Sequence, residues 1–158
     1  MANLQGVLGL RVLGALGARL AMAAVLLPLA PVLTLPSVDL PRVLGGGLAV
    51  GPAAVAVGWL LFLLVGGWLW SGAYLALARR QAPLAAAVLT ALCGWLLCSL
   101  VILPTAPWWS ADLRAGGQVA PGWFGLGFGP GAPLTLAFGY LAQVPGLLLM
   151  GRGAGRSH

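Results

Sequence analysis

The chain has 158 residues, of which 61% are hydrophobic and 6% charged, against roughly a quarter charged in an ordinary soluble domain. Folding at this length still leaves about a third of the surface facing solvent, more than ten charged side chains can cover, so a soluble globule is excluded and lipid is the expected solvent. The formal charge of +6 comes from arginines at 11, 19, 42, 79, 80, 114, 152 and 156 against Asp39 and Asp112; these arginines flank apolar runs instead of forming one basic face, which argues against a nucleic-acid partner.

A bilayer core about 30 Å thick requires roughly 20 apolar residues per helix, and cutting the chain at charges and turn residues leaves four such runs. The first covers 18–35, with Pro28 and Pro31 expected to kink it and Arg19 expected to snorkel its guanidinium to the headgroups. Residues 3 to 19 are then a short amphipathic approach along the interface. Leu20 to Ala30 has the length of a signal-peptide core, but no charge precedes Arg11 and no clean small-x-small site follows before Pro36, so it reads as a retained span. After a Pro- and Gly-rich connection, the second run, 52–78, opens on a proline suited to a first helical turn and ends at Arg79-Arg80. Arg79 to Ala82 is a tight turn, which makes the second and third spans antiparallel neighbours. The third run, 83–103, is expected to stop at Pro104. A Trp- and Gly-rich segment, 105–132, follows and is expected to lie on the membrane, with Trp108, Trp109, Trp123 and the pair Asp112 and Arg114 at headgroup level. The fourth run, 133–150, contains Gln143, Pro145 and Gly146 and is the least regular. The expected fold is therefore an all-α integral membrane protein, a single domain over 1–158, with four transmembrane helices in a compact bundle.

Arginine distribution sets the orientation. With both termini inside, Arg11, Arg19, Arg79, Arg80, Arg152 and Arg156 are cytoplasmic, and Arg42 and Arg114 are outside. The composition, without Lys or Glu and rich in Ala, Gly, Leu and Arg, has the codon bias of a GC-rich genome, and the expected location is a bacterial inner membrane.

Little catalytic chemistry is on offer. Cys93 and Cys98 point about 140° apart on one helix, with Cα atoms on the order of 8 Å apart, so they cannot bridge each other and read as small hydrophobes. The one histidine is His158, and Asp39 and Asp112 fall on different loops, so neither metal ligation nor a carboxylate pair is expected. A lipid-active enzyme using Asp112 and Arg114 ranks third among the functional readings. The segment Gly125 to Gly131 alternates glycine with other residues and is expected to be a flexible loop, a pore-lining re-entrant loop being the sharper alternative.

Packing signals are richer. Small residues at four-residue spacing let helix backbones approach in lipid; they occur as Gly14-x-x-x-Ala18, Gly47-x-x-x-Gly51, Gly67-x-x-x-Ser71 and Gly72-x-x-x-Ala76. Gly67, Ser71 and Gly72, with Trp68 and Trp70, are thus the expected contacts to a partner helix. Gln143 is the costliest polar group to place in lipid and is expected to bridge helices. Trp59, Trp68, Trp70 and Trp95 offer surface to lipid, to another subunit or to a bound apolar cofactor; no cofactor is otherwise expected. The first functional expectation is a non-enzymatic accessory or assembly subunit of a larger membrane complex, with lipid and other transmembrane helices as partners in a homo- or hetero-oligomer. Its rival is a small oligomeric transporter or channel for a neutral or apolar solute.

The orientation is directly testable. Reporter fusions after Arg80 and after His158 should read as cytoplasmic and a fusion at Ala115 as external; an external signal at Arg80 would invert the assignment.

Overall fold

The computed structural model describes residues 2–33, 39–116 and 119–154; residues 34 and 35 of the first expected span, and Arg156 and His158, lie outside these. Among the described residues every regular element is helical: α1 (Ala2–Leu33), α2 (Leu40–Gly45), α3 (Pro52–Ala78), α4 (Pro83–Trp109), α5 (Ala111–Arg114), α6 (Ala132–Ala142), α7 (Val144–Ala154) and one 3-10 segment, Trp123–Phe128. Prolines in the first turns of α2, α3, α4 and α6 start these helices where a missing N–H costs nothing.

Among the described residues three helices are long and apolar enough to cross a membrane: α3 and α4, each 27 residues, and the α6–α7 pair over Ala132–Gly151, 20 residues. At about 1.5 Å per residue the two longest reach roughly 40 Å, so the chain fits a membrane-embedded protein. The bounds of α3 are those expected from the sequence. Leu77 accepts backbone bonds from Arg80 and Gln81, both at 2.9 Å, which closes the tight turn and packs α3 against α4.

Three boundaries depart from expectation. The first helix does not begin near residue 18: α1 is continuous from Ala2, and Val12–Pro28 is its apolar stretch. Pro104 does not stop the third span. A turn of π-helix, Cys98–Ile102, directly precedes it, so the ring enters at the start of a fresh α-helical stretch, and the Thr105 hydroxyl donates to the Val101 carbonyl at 2.6 Å. Trp108 and Trp109 therefore belong to α4 and not to a loop. The last span breaks at Gln143, where Pro145 lacks the N–H that would continue the ladder.

The helices close a ring: α1 packs on α3, α6 and α7, α3 on α4, and α4 on α6 and α7. Glycines set the closest approaches. A Cβ on Gly146 would lie 2.5 Å from the Ala18 nitrogen, so α7 rests directly on the α1 backbone, at the Gly14-x-x-x-Ala18 face. A Cβ on Gly45 would lie 2.5 Å from the Gly58 nitrogen, and α2 lies equally close on α3. Gly47-x-x-x-Gly51, in contrast, is no helix face; it is a turn ending at Gly51 with φ 61°. The Gly125 to Gly131 segment is a compact turn and not a slack loop. Phe124 and Gly125 have positive φ, Gly127 N–H donates to Pro121 at 2.8 Å, and Phe128 is buried at the bundle end.

Candidate functional site

The buried polar groups collect at two levels, the first at mid-height in the ring. Arg19 is 2% exposed. Its Nη2 donates to the Gly66 carbonyl at 2.7 Å and its Nη1 lies 3.4 Å from the Met22 sulfur. The guanidinium carbon stands 5.1 Å from the Phe62 ring centroid and 6.0 Å from that of Trp70. Gly66 sits near the middle of α3, directly after a turn of π-helix, Leu61–Val65, and a Cβ there would come within 3.0 Å of Arg19 Nη2. The sequence supplies a flat bed for a planar cation at this point and two aromatic rings to cover it.

Snorkelling is thus corrected: Arg19 turns into the ring, where ring quadrupoles and a carbonyl receive it. A charged hydrogen bond contributes about 2 kcal/mol and each aromatic face about 1 kcal/mol. Together these come to about 4 kcal/mol, enough to offset the lower figure, roughly 3 kcal/mol, for placing an arginine at mid-membrane. They leave its charge unneutralised, because the chain's only acidic side chains, Asp39 and Asp112, are engaged elsewhere.

Tyr140 of α6 and Cys98 of α4 join Arg19 at this level, close enough to interact with it and with each other. The Tyr140 ring meets Trp70 edge-on at 6.2 Å, and Gly94 of α4 leaves the space that ring occupies. Gln143 lies one turn further along and is 0% exposed. Neither end of its amide has a hydrogen-bond partner among the described residues, and the same holds for the hydroxyls of Ser71, Tyr74 and Ser99. The expected interhelical bond from Gln143 is therefore not made within the described chain.

The second level is the end of the bundle where α2 and α5 meet. Asp39 caps α2, accepting from the Arg42 backbone N–H at 3.0 Å. Arg42 then reaches across to Asp112, Nε to Oδ2 at 2.8 Å, with side-chain exposures of 28% and 3%. Gly51 N–H donates to Asp112 Oδ1 at 2.7 Å, and Ala111 N–H to the Gly46 carbonyl at 2.7 Å. The two acids are not isolated: the loops carrying them are clasped together, one acid as a cap and the other in an ion pair. The hydrogen bonds from Arg42 hold the Asp112 carboxyl below the usual carboxylate range; burial works against this and the Gly51 N–H adds to it. Both acids thus take part in holding this end together. Arg114 donates to the Trp108 carbonyl, and Trp108 and Trp123 are exposed, while Trp109 Nε1 donates to Thr105 Oγ1 at 3.2 Å.

The expected packing residues divide. Gly67, Trp70 and Ser71 face inward, with Gly67 opposite the Ala15 carbonyl and Arg19 Cγ; Trp68, 81% exposed, and Gly72 face outward. Cys93 is exposed and Cys98 buried, as their angular separation requires. Sequence reasoning missed the Arg19 cluster. Its one visible signal was an arginine with apolar residues on both sides, and the rings that receive it are more than forty positions away along the chain. Among the described residues no three His, Cys, Asp or Glu side chains gather as metal ligands. No protein-family model, curated protein or solved structure matches this chain, so its function has to be argued from this geometry.

The clasp has a pH signature. Because the Asp112 carboxyl is depressed in the folded state, its contribution is present above about pH 4, the unfolded carboxylate value, and is lost as pH falls through the folded value. Asp112→Asn should lower stability at pH 7 by about 1 to 2 kcal/mol, with a smaller penalty near pH 3, as read by unfolding in detergent; an equal penalty at both would refute the ion pair.

Proposed function

We propose that the chain is a four-span integral membrane protein with both termini cytoplasmic, acting as a non-enzymatic accessory or assembly subunit. The position of α1 in the ring and the distribution of the arginines other than the buried Arg19, five expected inside (11, 79, 80, 152 and 156) against two outside (42 and 114), support the topology. The observation that carries the assembly reading is the outer face of α3. Leu64, Val65, Trp68 and Leu69 are exposed in one band, and Gly72, one turn on, has open space where a side chain would stand. Beside it a groove of about 300 Å³ runs between α1, α3 and α7, lined by Val12, Ala15, Ser71, Leu75 and Met150. A small residue at four-residue spacing from Ala76, flanked by a groove and a tryptophan edge, is the form of surface onto which another transmembrane helix packs.

A second reading, a small oligomeric transporter or channel for a neutral or apolar solute, is favoured by one feature, the fully buried Gln143 amide, neither end of which has a partner among the described residues.

Native electrophoresis of the protein extracted in mild detergent separates the two. The assembly reading expects a species well above the 16.0 kDa chain, reduced to the bare chain by Gly72→Leu without loss of abundance. Gly146→Leu, which collides with the Ala18 backbone, should instead deplete the folded protein. A wild-type chain that migrates alone, and that catalyses saturable solute flux in vesicles, would replace the assembly reading with the transporter.

A further inference from the structure

We infer that the groove between α1, α3 and α7 holds one acyl chain of an anionic phospholipid, whose phosphate is met by the arginines at that end of the bundle. The groove has a volume of about 300 Å³ and is walled by Val12 and Ala15 of α1, by Ser71, Gly72 and Leu75 of α3, and by Met150 of α7. Ser71 apart, these walls are apolar. Two turns of a helix about 10 Å across occupy roughly 800 Å³, so the groove seats a single hydrocarbon chain in full and a helix only by its edge.

All three walls run to the same end of the bundle. Gly14 of α1 packs on Met150 of α7, and Gly151 of α7 on Tyr74 of α3, so the start of α1 lies beside the ends of α3 and α7. Each wall carries arginine just beyond its last groove residue in that direction: Arg11 precedes Val12, Arg79 and Arg80 follow Leu75 by four and five positions, and Arg152 follows Met150 by two. Ser71, Leu75 and Arg79 recur at every fourth residue of α3, and helical dihedrals persist to Arg79, with φ −72° and ψ −22°. Arg79 therefore stands about 6 Å beyond Leu75 on the stripe that walls the groove. Arg79 and Arg80 are both exposed. No acidic side chain of the protein answers them, because Asp39 caps α2 and Asp112 is held by Arg42 beside Gly51, at the opposite end of α3.

The two halves of this site select one ligand together. An acyl chain gains little by leaving its neighbours in a bilayer, so the groove alone does not choose among lipids. Arginines at the headgroup level do, because they attract a net negative headgroup and not a neutral zwitterionic one. Free phosphate would meet the arginines and leave the groove unfilled; a neutral lipid would fill the groove and leave the arginines unmet. The inference goes beyond the assembly reading, since Arg79 and Arg80 lie outside the exposed band of Leu64 to Leu69 on α3. Loss of lipid and loss of a partner helix are therefore separate observations.

The test uses the full chain, delipidated in detergent and titrated with phosphatidylglycerol or phosphatidylcholine while native mass spectrometry counts the lipids retained. Phosphatidylglycerol should saturate at one lipid per chain, and phosphatidylcholine should bind roughly tenfold more weakly or worse. Arg79→Gln combined with Arg80→Gln should lower the affinity for phosphatidylglycerol by roughly thirtyfold. Val12→Trp, at a position 47% exposed, fills the groove and leaves both arginines in place; it should remove the saturable lipid without changing the size of the native species. Should the arginine variant fail to insert, Val12→Trp and the comparison of the two lipids carry the test. Equal binding of the two lipids by the wild type, or an unchanged affinity for phosphatidylglycerol in Val12→Trp, would overturn the site.

Discussion

A cation at mid-height in a bundle of membrane-length apolar helices has to be enclosed by its own protein, and that requirement organises this structure. Arg19 is received by the Gly66 carbonyl, the Phe62 ring and the Trp70 ring, all from α3. The arrangement needs a bare backbone at 66, a turn of π-helix just before it, and a tyrosine from α6 at the same level. Remove the arginine and the aromatic bed has no occupant. Remove the bed and the charge meets lipid, at a cost of about 3 kcal/mol or more.

Close helix contact follows from the same constraint. Lipid supplies no hydrophobic drive between helices, so packing depends on how near the backbones come. Gly146 on Ala18 and Gly94 under Tyr140 bring α7 and α4 inward to seal the arginine level, while Gly45 and Gly58 seat α2 on α3 near the other end. There the Arg42–Asp112 pair joins the two connections that carry the chain's only acids. Charge inside the ring is thus managed by aromatics and carbonyls, and charge at its end by a conventional ion pair.

The helical class, the bounds of α3 and the α3–α4 turn were legible in the sequence because they depend on local run length, proline and arginine. The π-turns were not. They keep α4 running past Pro104 and admit Arg19 beside Gly66, and both effects depend on contacts between distant parts of the chain. Gly67 and Gly72 looked equivalent as small residues, yet a rotation of five positions on a helix places one inward and the other outward. Arg19 was misread for a related reason: a flexible side chain near a span end has two destinations, and choosing between them requires knowing what the neighbouring helix presents. Asp39 and Asp112 are far apart in sequence, and only the meeting of α2 with α5 joins their loops.

The central claim is that Arg19 is held inside the ring by aromatic faces, and a double-mutant cycle measures that contact itself. Stability would be determined in mixed micelles for the wild type, Arg19→Met, Phe62→Leu and the double variant. The account predicts a coupling energy of about 1 kcal/mol or more between the two positions. Additive effects, with coupling within about 0.3 kcal/mol of zero, would place the guanidinium away from the Phe62 ring and contradict the account.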